Sequence, residues 1–168
     1  YPVRTLRREH AMNAQTPTST APRHGSDTRT TEAGASVRVV VRPRYIAEHS
    51  DPASDRYVFT YSITILNEGE TTVRLLSRYW LISDADGESH EVEGEGVVGE
   101  QPVIRPGHSH EYESFCPLAT PWGTMEGHYR MVRLHPDTPE QSLSLDPTEL
   151  GEVFDANIGR FYLVSDES

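Results

Sequence analysis

Two clusters in this chain combine residue types and spacings that could do chemistry. The first is Gly94-Glu95-Gly96-Val97-Val98-Gly99, which fits G-x-G-x-x-G letter for letter. In a dinucleotide-binding fold such glycines follow a strand and open a helix whose N-terminus holds a pyrophosphate. Here Pro102 could sit in a first helical turn, but Pro106 would break that helix one turn later. Glu95 and Glu100 would also repel a phosphate. The pattern therefore reads as a loop between strands, with glycines at positive φ. Successive amide N–H groups in such a loop can also form a nest that binds an anion without a helix. The second cluster is His108-Ser109-His110-Glu111-Tyr112-Glu113. On a strand, His108 and His110 share one face and Glu111 and Glu113 the other. Two histidines make a metal site only with further ligands, and His128 or His135 could supply one. The plainer reading is a solvated polar strand face, and no metal site is assigned.

Catalytic machinery is not evident. There is no G-x-S-x-G elbow, and paired carboxylates carry little information on so acidic a chain. All 15 basic residues are Arg, so Schiff bases, the P-loop lysine and the Ser-Lys dyad are excluded. Cys116 is the only cysteine, which rules out an intrachain disulfide. It reads as a small half-buried hydrophobe rather than a reactive thiol. The expectation is a protein that is not an enzyme and carries no cofactor.

Charge bounds the partners. The 26 acidic residues give a formal net charge of -11, which argues against a nucleic-acid binder. A local Arg surface remains open: Arg38, Arg42 and Arg44 with Arg74 and Arg78 could face an anionic partner, or pair across strands with Glu and Asp. No run approaches the ~18 apolar residues of a membrane span, so no membrane partner is expected. Lys-free acidity fits either adaptation to high salt or a bias toward Arg codons.

The elements that must position these clusters read as strands. Val37, Val39, Val41 and Tyr45 alternate with Arg38, Arg42 and Arg44, a period-2 pattern. Tyr57, Phe59, Tyr61, Ile63 and Ile65 repeat it. Turn signals follow at Asn67-Glu68-Gly69-Glu70 and Asp84-Ala85-Asp86-Gly87. Further strands are expected over 73–82, 88–93, 109–116, 127–134 and 160–164. Asp146 could cap one short helical turn over 147–150. About seven strands read as an all-β, two-sheet antiparallel sandwich of immunoglobulin or fibronectin III type. Trp80 falls where such sandwiches carry a core Trp, and Tyr129 where a tyrosine corner would be. Residues 1–35 hold five Arg and three acids and show no apolar periodicity. They read as a disordered or extended tail, with 36–168 as the folded domain. Met12 could be the initiator.

One ordered set of residues carries a family resemblance. It runs Trp80-Leu81-Ile82-Ser83-Asp84, Val92 to Pro102, Pro106-Gly107, Tyr112, Ser114, Cys116, Leu118, Thr120-Pro121 and Gly123 to Met131. This resembles the ApaG family, from about residue 36 to 164. The resemblance implies a fibronectin III or immunoglobulin-like sandwich, and small cytoplasmic bacterial proteins with a genetic link to cobalt and magnesium resistance. It also implies protein recognition, the presumed role of related domains in eukaryotic F-box proteins. The family's Gly loop has been proposed to bind pyrophosphate-containing ligands, a role that falls here on Gly94, Gly96 and Gly99.

The resulting expectation is a non-enzymatic binding module whose unidentified protein partner meets the loop residues Gly94, Gly96, Gly99, Glu100 and Gln101. The alternative is a small-ligand sensor that takes pyrophosphate or a dinucleoside polyphosphate there. A divalent cation bridging to Glu95 or Glu100 would then offset the carboxylates.

Overall fold

The structure, a computed structural model, describes residues 9–11, 23–32, 34–135 and 151–165. Apart from two short 3-10 turns, Ala47–His49 and Pro52–Ser54, every described element is a strand. In chain order these are β1 Glu9–Ala11, β2 Ser26–Glu32, β3 Ala35–Tyr45, β4 Tyr57–Asn67 and β5 Val73–Asp84. Then come β6 Ser89–Glu95, β7 Val103–Ile104, β8 His108–Leu118, β9 Trp122–Leu134 and β10 Gly151–Val164. One sheet has the order β1-β8-β4-β3-β2 and the other β10-β9-β5-β6, with β7 paired to β5. All the pairings are antiparallel. The expected all-β two-sheet sandwich is what forms.

Alternating side chains from both sheets make the core. Val37, Val39 and Val41 from β3 and Phe59, Tyr61, Ile63 and Ile65 from β4 face Trp80, Met125, Tyr129 and Phe161 of the other sheet. Trp80 is the hub. Its ring meets Tyr61 at 5.6 Å and Phe161 at 5.8 Å, both edge-on, the arrangement aromatic quadrupoles favour. Tyr129 does not make a tyrosine corner. It lies in the middle of β9, and its hydroxyl bonds to that of Tyr112 on β8, a buried link between the two sheets.

Two bulges set which residues reach this core. On β5 the register shifts between Leu75 and Ser77, so inward positions change from Val73 and Leu75 to Trp80 and Ile82. On β10 a shift between Ile158 and Phe161 does the same.

The sheet begins before the expected boundary at residue 36. Strand β2 pairs with β3 from Ser26↔Val41 to Glu32↔Ala35, and Glu9–Ala11 pair with the free edge of β8. Polar contacts hold β2 in place. Arg38, itself only 7% exposed, makes a bidentate pair with Asp27, through Nε at 2.7 Å and Nη2 at 2.5 Å. The Thr30 and Thr28 hydroxyls accept the edge amides of Asn157 and Gly159 on β10, at 2.9 and 3.0 Å. The short helical turn expected at 147–150 and the candidate initiator Met12 lie outside the described residues.

Candidate functional site

The glycine loop is built on the β5 bulge. The bulge turns the Leu76 carbonyl out of the ladder, and two donors from the loop take it: the Gly96 amide at 2.8 Å and Gln101 Nε2 at 2.9 Å. Arg74 grips the other end, donating from Nη2 to Gln101 Oε1 at 2.9 Å and from Nε to the Gln101 carbonyl at 3.4 Å. Arg78 Nη1 donates to the carbonyls of Gly96 at 2.9 Å and Glu95 at 3.2 Å. Two arginines on one strand thus clamp both halves of the loop.

At its tip Val97 and Glu100 exchange two backbone hydrogen bonds of 2.8 and 3.0 Å around Val98-Gly99. Positive φ at both central residues, 53° and 76°, is the signature of a type I′ turn. Valine in that conformation is a true outlier, because its branched Cβ crowds the backbone. A side chain at either of two glycines would meet an obstruction, a movable guanidinium at Gly94 and fixed backbone at Gly96. A Cβ at Gly94 would sit 2.7 Å from Arg78 Nη1, and one at Gly96 would sit 2.2 Å from the Glu100 carbonyl.

Behind the turn the sheets part to leave a cavity of about 450 Å³. Tyr61, Tyr112 and Ser114 line it from one sheet, Arg78 and Trp80 from the other, and Glu95 with Val97–Gly99 forms its rim. Burial pushes the Tyr61 hydroxyl up to about 12, against the opposing hydrogen bond from Ser114. Burial likewise carries Tyr112 and Tyr129 well above the ordinary tyrosine value. These hydroxyls hold their protons at neutral pH and can donate hydrogen bonds, but they do not supply a base.

The sequence placed five residues at this site. Gly99 is exposed at the tip, Glu100 closes the turn, and Gly94 and Gly96 are packing positions. Gln101, expected to face a ligand, turns inward instead, with both side-chain polar atoms engaged. The amides of Gly96, Val97 and Glu100 also donate within the protein. The nest expected for an anion therefore loses the amides of Gly96, Val97 and Glu100. Trp80, Tyr112 and Ser114 belong to the set that carries the family resemblance, and Tyr61 to a strand alternation, but neither signal showed that they border a cavity. Whether they pack or border a cavity depends on the separation of the sheets.

The other candidates disperse. His110 is buried, His108 Nδ1 lies 3.1 Å from the Pro106 carbonyl, and His128, on the other sheet, stacks on its β5 neighbour Tyr79 with centroids 5.0 Å apart. Among the described residues no three His, Cys, Asp or Glu side chains come together in a way that could hold a metal. The five arginines do not form one surface either. Arg38 pairs with Asp27, Arg74 and Arg78 clamp the loop, and Arg42 and Arg44 are exposed on the other sheet.

Cys116 is buried, and desolvation pushes its thiol up to about 12. The thiolate, the reactive form, is then scarce in the folded protein until far above the ordinary thiol value. Iodoacetamide at pH 8 is expected to leave Cys116 unmodified in the native protein and to alkylate it readily in denaturant. Comparable rates in the two states, read by mass spectrometry, would overturn this assignment.

Fold and site together define a small two-sheet sandwich that displays a clamped glycine turn over an aromatic-lined cavity. The ApaG domain family model matches residues 47–133. Protein ApaG of Thiobacillus denitrificans is 49% identical over 127 residues, covering 76% of this chain and 88% of that one. Protein ApaG of Rhodospirillum centenum is 46% identical over 134 residues, covering 80% and 92%. A crystal structure of a Bordetella pertussis protein described as ApaA superposes with a TM-score of 0.68 at 39% identity, covering 80% of this chain and 97% of that one. The chain belongs to the ApaG family. Among its described residues no helix is long and apolar enough to cross a membrane.

Proposed function

We propose that this chain is a binding module, acting in the cytoplasm, that recognises a protein partner with the Val97–Glu100 turn and the cavity behind it. The observation that carries this reading is the strained, rigidly held turn. Val98 is kept in a left-handed conformation by hydrogen bonds on both flanks of the loop, and backbone strain of this kind concentrates at binding sites. A preformed turn loses little entropy on association, and an aromatic-lined pocket suits the anchoring residues that dominate protein interfaces. A link to cobalt or magnesium resistance would then run through the partner rather than through a metal held by this chain.

The test is quantitative capture of partners by wild type and Val98→Asp. Asp tolerates the left-handed region better than Val, so the turn should keep its shape while the apolar tip becomes charged. We expect partner affinity to fall about tenfold or more, the usual scale for an interface hot spot, while the domain stays folded despite the packing that Val98 gives up against the core. Val153→Asp, at an exposed position on β10, should leave the partners unchanged. Equal partner profiles for wild type and Val98→Asp would discard the turn as the recognition surface.

A further inference from the structure

The opposite side of the sandwich carries a second cavity, of about 210 Å³, where the ends of β3 and β10 meet the start of β4. Its lining is Arg23, His24, Pro43, Arg44, Tyr45, Phe59, Tyr162 and Val164, with no acid among them. On a chain of net charge -11 this is a local reversal of sign. Among the described residues neither Arg23 nor Arg44 has a carboxylate within ion-pairing distance. Arg23 and Arg44 both border this one small cavity, and an anion bound there relieves the repulsion between like charges.

Two further observations point the same way. Tyr45 forms part of the wall, and its hydroxyl is buried with no hydrogen-bond partner. Buried polar groups normally have one, so the lack marks a missing acceptor. The segment that brings Arg23 to the mouth is also fixed by geometry. His24 sits at a φ of 63°, and its carbonyl accepts the Tyr162 amide at 2.7 Å. Positive φ at a residue other than glycine persists only where surrounding contacts hold it.

We propose that this cavity binds a phosphomonoester. The two guanidiniums match the dianion in charge, and their planar forks suit its oxygens. An oxygen at the cavity floor gives the Tyr45 hydroxyl the acceptor it lacks. The volume is below the ~300 Å³ of an ordinary small-molecule pocket, so it suits a terminal phosphate with a short organic stem rather than a nucleotide. Tyr162, 43% exposed at the mouth, offers a ring against which that stem can lie. All these residues except Phe59 fall outside the 47–133 segment that the ApaG domain model matches. The site is separate from the Val97–Glu100 turn, and the proposal does not depend on the reading of that face.

The test uses the full chain at constant ionic strength, titrated with inorganic phosphate, phenyl phosphate and acetate while backbone amides are followed by NMR. Saturable shifts at His24, Arg44, Tyr45 and Tyr162 are expected with both phosphates, with a Kd on the order of 1 mM or below. Acetate should bind more weakly. Phenyl phosphate is expected to bind more tightly than inorganic phosphate, because its stem lies against Tyr162; equal or weaker affinity would point to free phosphate and overturn the monoester. Arg44→Gln should weaken binding about tenfold or more, and Arg44→Lys should recover only part of it. Tyr45→Phe gives an independent check, because removing an unpartnered hydroxyl should raise the Tm of the free protein while lowering phosphate affinity. Absence of shifts at ~10 mM phosphate, an equal response to acetate, or shifts confined to Val97–Glu100 would each overturn the proposal.

Discussion

Replacing Asn67 by leucine is expected to remove about 3–5 kcal/mol of stability, because three polar groups lose their only side-chain partner at once. Asn67 has no exposed surface. Its Nδ2 donates to the carbonyls of Thr71 at 2.8 Å and Ile104 at 2.9 Å, and its Oδ1 accepts the Gly69 amide at 3.0 Å. Its own carbonyl accepts the Gly107 amide at 2.9 Å. The residue therefore ties together two points where the chain crosses between sheets: the turn after β4 and the turn that enters β8. Ile104 lies just beyond the glycine loop, so Asn67 also anchors the loop's downstream end. Leucine matches the volume but leaves two carbonyls and an amide without a partner, and the cost of such groups exceeds the value of the bonds themselves. Asn67→Asp should be nearly as harmful, since it points a carboxylate at two carbonyls. Urea denaturation measures the effect. A loss under ~1 kcal/mol for both variants would show that the crossings are held by packing alone.

Gly96→Ala is the second large effect, and its contrast with Gly99→Ala is what makes it informative. Both glycines have positive φ, 63° and 76°. A Cβ at Gly99 meets nothing within 4 Å, so alanine there should cost only the conformational penalty of about 1–2 kcal/mol. A Cβ at Gly96 would lie 2.2 Å from the Glu100 carbonyl oxygen, and the obstructing atom is backbone rather than a movable side-chain end. The turn must open, which also breaks the paired Val97 and Glu100 hydrogen bonds. We expect a total of about 2–4 kcal/mol, combining left-handed strain with the lost bonds. Partner affinity should disappear, while Trp80 fluorescence and the core stay native. Equal costs at the two positions would show that the loop is soft and would remove the rigidity on which the binding reading rests.

The strands that could be read in advance are those whose inward positions are apolar. On β3 and β4 the alternation of Val37, Val39 and Val41, and of Phe59, Tyr61, Ile63 and Ile65, leaves one way to bury a face, because side chains on a strand repeat every two residues. Strand β2 escaped that logic. Its sequence Ser26-Asp27-Thr28-Arg29-Thr30-Thr31-Glu32 has no apolar face. It is held by Asp27 on Arg38 and by hydroxyls that reach β10, about 130 residues further along the chain. No local pattern announces a partner at that separation.

The glycine loop divides in the same way. That the chain turns near Gly96 and Gly99 follows from residue type, since glycine adopts left-handed backbone without crowding a Cβ, whereas Gly94 lies at the end of β6 and Val98 takes the left-handed conformation without that excuse. So does the want of lysine, which leaves Arg as the one side chain here with a permanent positive charge. The role of Gln101 could not be foreseen. An exposed amide beside a Gly-rich loop looks like a ligand contact until the β5 bulge presents the Leu76 carbonyl to it. The bulge itself leaves no trace in the run Val73 to Ile82, yet it reverses which side of that strand faces inward. Both cavities are of this second kind. Strand periodicity dictates which face each residue takes, because it is a property of the single chain. Whether a residue on the inner face is packed or borders open space depends on how far two sheets stand apart, and that distance is a property of the assembled pair.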